Sequence, residues 1–150
     1  ETRSASVACG LSVLDHDTDI IVIHDGVRPL VSSNLVEEGV SLCARWDAVV
    51  CAVPVKSTIK RTVGEDFIVE KTLDRNNLWE IQTPQTFKRS VLLEAHKQNK
   101  EENPSDDALM VERLGVQVKV FQGCYTNIKI TTLEDLVMAQ TFLCPQKTSG

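Results

Sequence analysis

The sequence predicts an α/β domain with a mostly parallel sheet. Three observations carry that expectation. Two short apolar runs, DIIVIHD (19–25) and DAVVCAVPV (47–55), read as strands buried on both faces, the habit of parallel sheets. Between them, SSNLVEEGVSLCARW (32–46) has helical spacing, so strand, helix and strand form a βαβ unit whose crossover should be right-handed. A later alternating run, VQVKVF (116–121), is again followed by a helical pattern.

Composition narrows the class further. A chain of 150 residues is long enough for one domain with a core. With 42% apolar and 25% charged residues it matches neither a disordered, a collagen-like nor a coiled-coil chain. The net charge of −5 gives no overall field for nucleic acid or an anionic membrane, although a local basic cluster remains free to take a small anion. No apolar run reaches the length of a membrane span, and no signal-peptide pattern occupies the first residues. Cys9, Cys43, Cys51, Cys124 and Cys144 are odd in number, widely spaced and without a C-x-x-C pair. The expectation is therefore reduced core thiols in a cytosol-like compartment rather than a zinc site or a disulfide framework. His16, His24 and His96 show no metal-ligand spacing.

Taken in order, residues 5–14 carry Val7, Leu11 and Leu14 at near-helical spacing, with Ser4 or Ser6 as cap. After the first buried strand, Asn34 and Glu37 form a capping box for a helix whose inward face holds Val36, Val40 and Cys43, flanked by Leu35 and Leu42. Pro54 closes the second strand. STIKRTV and FIVEKTL alternate around the turn GED, a hairpin pattern with little apolar bulk, so it should project from the body. The stretch TLDRNNLWEIQTPQTF (72–87) reads as neither helix nor strand. It is expected to be a junction in which Trp79 anchors the chain and QTPQTF turns it into a helix over 88–99, whose apolar positions are Val91, Leu92 and Ala95. Ser105 or Asp106 caps a short helix that Gly115 ends. NIKI (127–130) reads as a short strand, and Thr131 with Glu134 as the capping box of a last helix facing inward through Leu133, Leu136, Val137, Gln140 and Leu143. The end, 144–150, reads as a polar tail.

Chemistry concentrates at strand ends, where open α/β sheets bind ligands. Asp25 in HDGVRP is placed to meet a metal or a polar substrate, and Arg28 to bind an anion or to brace the loop through Asp25. Lys129, between Ile128 and Ile130, points away from two apolar side chains, toward solvent or a phosphate. Arg75, beside Asp74, sits at the foot of the hairpin. A phosphorylated small molecule suits these cations together with Lys56 and Lys60.

The motifs HDGVRPLV, AVPVKSTIKR, KTLDRNNLWEIQTPQTF, SDDALMVERLG and GCYTNIKITTLEDLVMAQ resemble, in order and spacing, those of the 2-C-methyl-D-erythritol 4-phosphate cytidylyltransferases; the ribitol-5-phosphate cytidylyltransferases share much of the pattern. The resemblance runs from about Arg3 to Leu143. It implies a Rossmann-like nucleotidyltransferase fold with a β-arm at about 56–74, and transfer of CMP from CTP to a sugar-alcohol phosphate with Mg²⁺. It also implies a homodimer in which the arm completes the partner's site, in bacterial cytoplasm or plastid stroma. Carried over by motif, Arg75 and Lys129 hold the substrate phosphate, while Thr58, Asp25 and Arg28 bind substrate. Arg3 and Ser6 contact the nucleotide, and Asp25 is also the candidate metal contact. The family's Gly-rich turn, with the Arg and Lys that follow it, is not among these 150 residues. The expectation is a fragment, 1–143 of it the C-terminal part of one such domain, inactive alone; a non-catalytic dimerisation module is the alternative of another class.

Overall fold

The computed structural model describes residues 2–101 and 104–144. Helix α1 (Arg3–Ser12) leads into strand β1 (Ile20–Ile23), helix α2 (Ser33–Leu42) and strand β2 (Ala48–Pro54). Strands β3 (Lys60–Val63) and β4 (Ile68–Thr72) follow, then a 3₁₀ turn at Arg75–Asn77 and strand β5 (Trp79–Lys88). Helices α3 (Arg89–Gln98) and α4 (Asp107–Arg113), strand β6 (Val118–Gln122) and helix α5 (Leu133–Leu143) complete the described chain.

The main sheet has the order β1-β5-β2-β6. β6 runs parallel to β2, and β5 runs antiparallel to both β1 and β2, so three of the four strands point one way. Alternate residues of β2 face opposite layers. Ala48 and Val50 pack with Leu92, Ala95, Met110 and Val111 of α3 and α4, whereas Val49 and Cys51 pack with Leu35, Cys43 and Phe121 beneath α2. That two-sided burial is why β2 reads as an uninterrupted apolar run. Leu92, with no exposed surface, contributes about 2–3 kcal/mol of transfer free energy to the α3 layer.

Strand β5 is the main departure from the sequence reading. The segment read as a junction is a ten-residue strand in the sheet's interior. Its buried residues are largely polar: Gln82, Thr83, Gln85 and Thr86 are all under one-tenth exposed. Polar side chains and Pro84 disguise it, since a proline gives no N–H to a ladder. The β2–β5 register shifts between Val50, opposite Gln85, and Ala52, opposite Ile81, which leaves Pro84 in the interrupted stretch. Trp79 is not a core anchor; it opens β5 at 41% exposure.

Smaller differences concern helix ends and the last strand. α1 is capped by Thr2, whose Oγ1 accepts from Ala5 N, and Ser6 lies inside the helix. α2 is capped by Ser32, which accepts from Leu35 N, and not by an Asn34 box. Inward positions there are Leu35, Gly39 and Cys43; Val40 is exposed. α4 is capped by Asp106 and followed by Gly115 at φ +79°, as the sequence predicts. For α5 the box is one residue later than expected: Thr132 caps, and Asp135 accepts from the backbone N–H groups of Thr131 and Thr132. Residues 127–130 form no strand. Leu133, Leu136, Val137 and Leu143 do not face a core; Ala139 is the one buried residue of α5. Cys43 and Cys51 are buried, whereas Cys9, Cys124 and Cys144 are exposed free thiols. Residues 145–150 of the expected tail lie outside the described residues.

The hairpin stands apart from the body. β3 and β4 pair only with each other, and every residue of both is exposed. Lys60 Nζ donates to Thr72 Oγ1 at 2.8 Å and Arg61 pairs with Glu70 across the ribbon. The turn carries exposed Glu65 and Asp66, and beside them Phe67, at φ +54° and 77% exposed, is joined by exposed Val63, Ile68 and Val69.

Candidate active site

At the C-terminal end of β1 the chain turns through His24–Arg28, and three cations meet on one carboxylate. Asp25 Oδ2 lies 3.2 Å from Lys129 Nζ and 3.3 Å from Arg28 Nε; its Oδ1 lies 3.7 Å from Arg3 Nε. Burial alone would raise the Asp25 pKa, but the Lys129 ammonium and the Arg28 guanidinium outweigh it and hold the carboxyl below its ordinary value. Arg3 is also paired to Asp107 and Asp106 lines the same cleft, so the charges of the cluster nearly balance, and Lys129, the most exposed of the three cations, is the one open to an anion.

The loop is fixed from below by β5. Asp25 N donates to Thr83 Oγ1 at 2.9 Å. His24 Nε2 faces the Arg28 carbonyl at 3.0 Å, and a carbonyl only accepts, so that nitrogen carries the proton. His24 Nδ1 is then the acceptor for the Thr83 hydroxyl, also at 3.0 Å. A directed chain thus runs from the Asp25 amide through Thr83 and His24 to the Arg28 carbonyl. On the far side, Arg28 Nη1 donates to the Asn127 carbonyl at 2.8 Å, and Asn127 Nδ2 donates to the Thr83 carbonyl at 2.8 Å. Ile130 N donates to the Val27 carbonyl at 2.8 Å and brings the Lys129 loop alongside. Of the buried polar residues of β5, Gln82, Thr83 and Gln85 therefore serve the loops around the charged groups, while Thr86 Oγ1 has no partner among the described residues.

A cleft of ≈ 320 Å³ opens over this cluster, lined by Arg3, Asp25, Arg28, Gln85, Asp106 and Lys129 among others. That volume is within the range of small-molecule sites. Of the residues singled out from sequence, Arg3, Asp25, Arg28 and Lys129 are brought together. Arg28 is buried and spends its donors on Asp25 and Asn127, so it braces the loop. Lys129 lies on a loop rather than a strand, with its side chain 43% exposed at the cleft. Ser6 is on α1 with its hydroxyl on the Thr2 carbonyl and does not line the cleft. Thr58 and Arg75 are at the arm and do not line it either. Arg75 Nη1 donates to the Lys56 carbonyl at 2.8 Å, and Asp74, its sequence neighbour, accepts from Asn76 N to cap the turn.

Sequence reasoning missed His24, Thr83, Gln85 and Asn127 as supports. The unusual polarity of QTPQT was the available signal: polar residues in a buried strand must find partners. No group of three His, Cys, Asp or Glu side chains that could hold an ion occurs among the described residues. In this structure the Asp25 carboxylate is shared by three cations.

Gly123 limits how the Lys129 loop sits. Its N–H donates to the Ala52 carbonyl at 2.7 Å, and a Cβ built on it would stand 2.6 Å from Gln82 Oε1 and 3.1 Å from that carbonyl. Gly123→Ala is expected to displace the Gln82 amide from the Cys124 carbonyl and to cost about 1–3 kcal/mol in denaturant unfolding. Unchanged stability would mean that Gln82 swings away freely.

Comparison with known proteins gives the family of the chain. The profile of the 2-C-methyl-D-erythritol 4-phosphate cytidylyltransferase (IspD) family matches residues 1–144. The chain belongs to the IspD family. It is similar to the 2-C-methyl-D-erythritol 4-phosphate cytidylyltransferase of Caldanaerobacter subterraneus subsp. tengcongensis, 46% identical over 145 residues, covering 95% of this chain and 63% of that protein. It is similar also to the protein of the same name from Alkaliphilus oremlandii, 45% identical, covering 94% and 60%. Among solved structures, 4-diphosphocytidyl-2C-methyl-D-erythritol synthase from Anaerococcus prevotii superposes with a TM-score of 0.86 at 33% identity, covering 95% of this chain and 67% of that one. The 2-C-methyl-D-erythritol 4-phosphate cytidylyltransferase of Thermus thermophilus gives 0.83 at 35% identity, covering 94% and 68%. The chain thus spans about three fifths of the length of the curated IspD relatives it matches. No helix among the described residues is long and apolar enough to cross a membrane.

Proposed function

We propose that this chain carries the acceptor-phosphate side of a cytidylyltransferase site, for transfer of CMP from CTP to 2-C-methyl-D-erythritol 4-phosphate with release of pyrophosphate. The observation that carries the reading is the convergence of Arg28 and Lys129 on Asp25, with Lys129 exposed at the cleft, at the strand ends of an IspD-family chain. The relatives' names support the choice of acceptor.

In this reading a phosphate oxygen of the acceptor attacks the α-phosphorus of CTP. One P–O bond forms, the bond to the bridging oxygen breaks, and pyrophosphate leaves with its electron pair. The attacking oxygen is already anionic, so no protein base is required. What the protein supplies is orientation and compensation of charge. Lys129, exposed and resting on Asp25, is the group free to move onto an incoming phosphate. Arg28, held rigidly, keeps the loop and the field in place. Magnesium belongs to the reading as a companion of the nucleotide's own phosphate oxygens.

The arm enters through a second copy. Thr58 and Arg75 stand away from this chain's cleft, and the exposed apolar residues Phe67, Ile68 and Val69 of the hairpin are suited to burial against another surface, so in this reading they complete the site of a partner in a homodimer. A cytoplasmic or plastid-stromal location goes with this reading.

Calorimetric titration tests it. 2-C-methyl-D-erythritol 4-phosphate is expected to bind more tightly than ribitol 5-phosphate or inorganic phosphate, while turnover with CTP is expected to be absent because the 150 residues contain no Gly-rich triphosphate turn. Equal binding of all three compounds, or turnover by this chain, overturns the reading.

A further inference from the structure

We infer that Asp107 is the positioning residue for the Arg3 guanidinium, and that His96 holds Asp107 to that task. The inference rests on the reading of Arg3 as a nucleotide contact, which the family resemblance supplies and the cleft accommodates. Three helices meet at this one carboxylate. Asp107 is the first residue of α4 and has no exposed surface. Its Oδ2 accepts from Arg3 Nη2 of α1 at 2.5 Å, and its Oδ1 accepts from His96 Nε2 of α3 at 2.9 Å. An ionised carboxylate only accepts, so His96 carries its proton on Nε2. Each Asp107 oxygen thus has its own donor, and the carboxylate has no freedom to rotate without losing one of them.

The consequence for Arg3 is geometric. Asp107 grips one edge of the guanidinium from behind while Asp25 faces Nε from the cleft at 3.7 Å. A long side chain that would otherwise sample many rotamers is held in one plane. Nη1 is buried and has no partner among the described residues, so its two N–H donors remain unspent. Two carboxylates on one guanidinium leave no positive surplus at that spot. Arg3 therefore offers a directed hydrogen bond to an uncharged acceptor, such as a base or ribose oxygen, rather than charge for the polyphosphate. The burial of Asp107 fits a positioning role: a buried ion costs more to desolvate than an apolar residue of its size, and here its two partners fix direction.

The test uses the full chain labelled with ¹⁵N. The Arg3 Nη2–H resonance, from the group bonded to Asp107, is identified by its absence in Arg3→Lys. It is expected to be sharp and slow to exchange in the wild type, lost in Asp107→Asn, broadened in His96→Ala and restored in His96→Gln. The Asn amide has one accepting oxygen, so it sets an N–H against one of the two donors. Should Asp107→Asn fail to fold, the two His96 variants decide, because His96 sits at the edge of α3 with its side chain partly exposed. CTP affinity is expected to fall about tenfold in His96→Ala, with inorganic phosphate binding unchanged. An Arg3 resonance indifferent to these variants overturns the inference, and so does equal weakening of both ligands, which marks a structural tether. If CTP leaves the wild-type Arg3 resonance unmoved, the nucleotide reading fails, and the variants still decide whether Asp107 positions Arg3.

Discussion

Lys129→Ala is expected to lower affinity for 2-C-methyl-D-erythritol 4-phosphate by about ten- to a hundredfold, the loss of a charge-assisted contact to phosphate. Arg75→Ala is expected to do the same although it lies at the arm, away from the cleft lined by Lys129. The informative experiment mixes the two variants. If the arm serves the partner's cleft, a mixed dimer has one site carrying both lesions and one carrying neither. Random pairing then restores about a quarter of the acceptor sites, read by titration calorimetry. If Arg75 serves its own chain, each site keeps one lesion and mixing restores nothing. An unaltered affinity in Arg75→Ala would leave its guanidinium only the work of bracing the Lys56 carbonyl.

Asp25→Asn is expected to destabilise the fold by about 2–3 kcal/mol, because it leaves Arg28, Lys129 and Arg3 facing one another without their shared counter-ion. The pH dependence has a definite sign. The carboxyl is held below its ordinary value of 3.8, so its contribution is fully present above that value and is lost as pH falls through the lower folded-state pKa. The difference in melting temperature between wild type and variant should therefore be largest near neutral pH and shrink on acidification toward pH of about 3. A difference that stays constant with pH would show that the cluster does not depend on the Asp25 charge.

How much of this was legible in the sequence depended on whether a residue's partner was local. β2 was legible because six successive buried residues need nothing but apolar neighbours on either side. The caps of α4 and α5 were legible to within a residue, since a cap is a contact over three or four positions. β5 was not. Gln82, Thr83 and Gln85 belong in the interior only because Cys124, the His24–Asp25 loop and Asp106 come from elsewhere to meet them. Sequence pattern registers polarity and has no means of registering a partner forty residues away. The same limit applied to the site. Asp25, Arg28 and Lys129 were found from their place at strand ends and from motif resemblance. Asp107 and His96 belong to helices that meet Arg3 only in three dimensions.

Helix α5 has eleven residues and a single buried one, with Leu133 at 78% exposure and Val137, Met138 and Leu143 also open. A helix that short is marginal in water on its own, even with a complete capping box. Its ordering is therefore contingent on what lies against its oily side. Chain concentration, detergent or a binding protein would each register there first, as a gain or loss of helical signal, while the sheet and the Asp25 cluster stayed as they are. Alongside the hairpin, α5 is thus among the segments least committed to the rest of the fold and a responsive gauge of company.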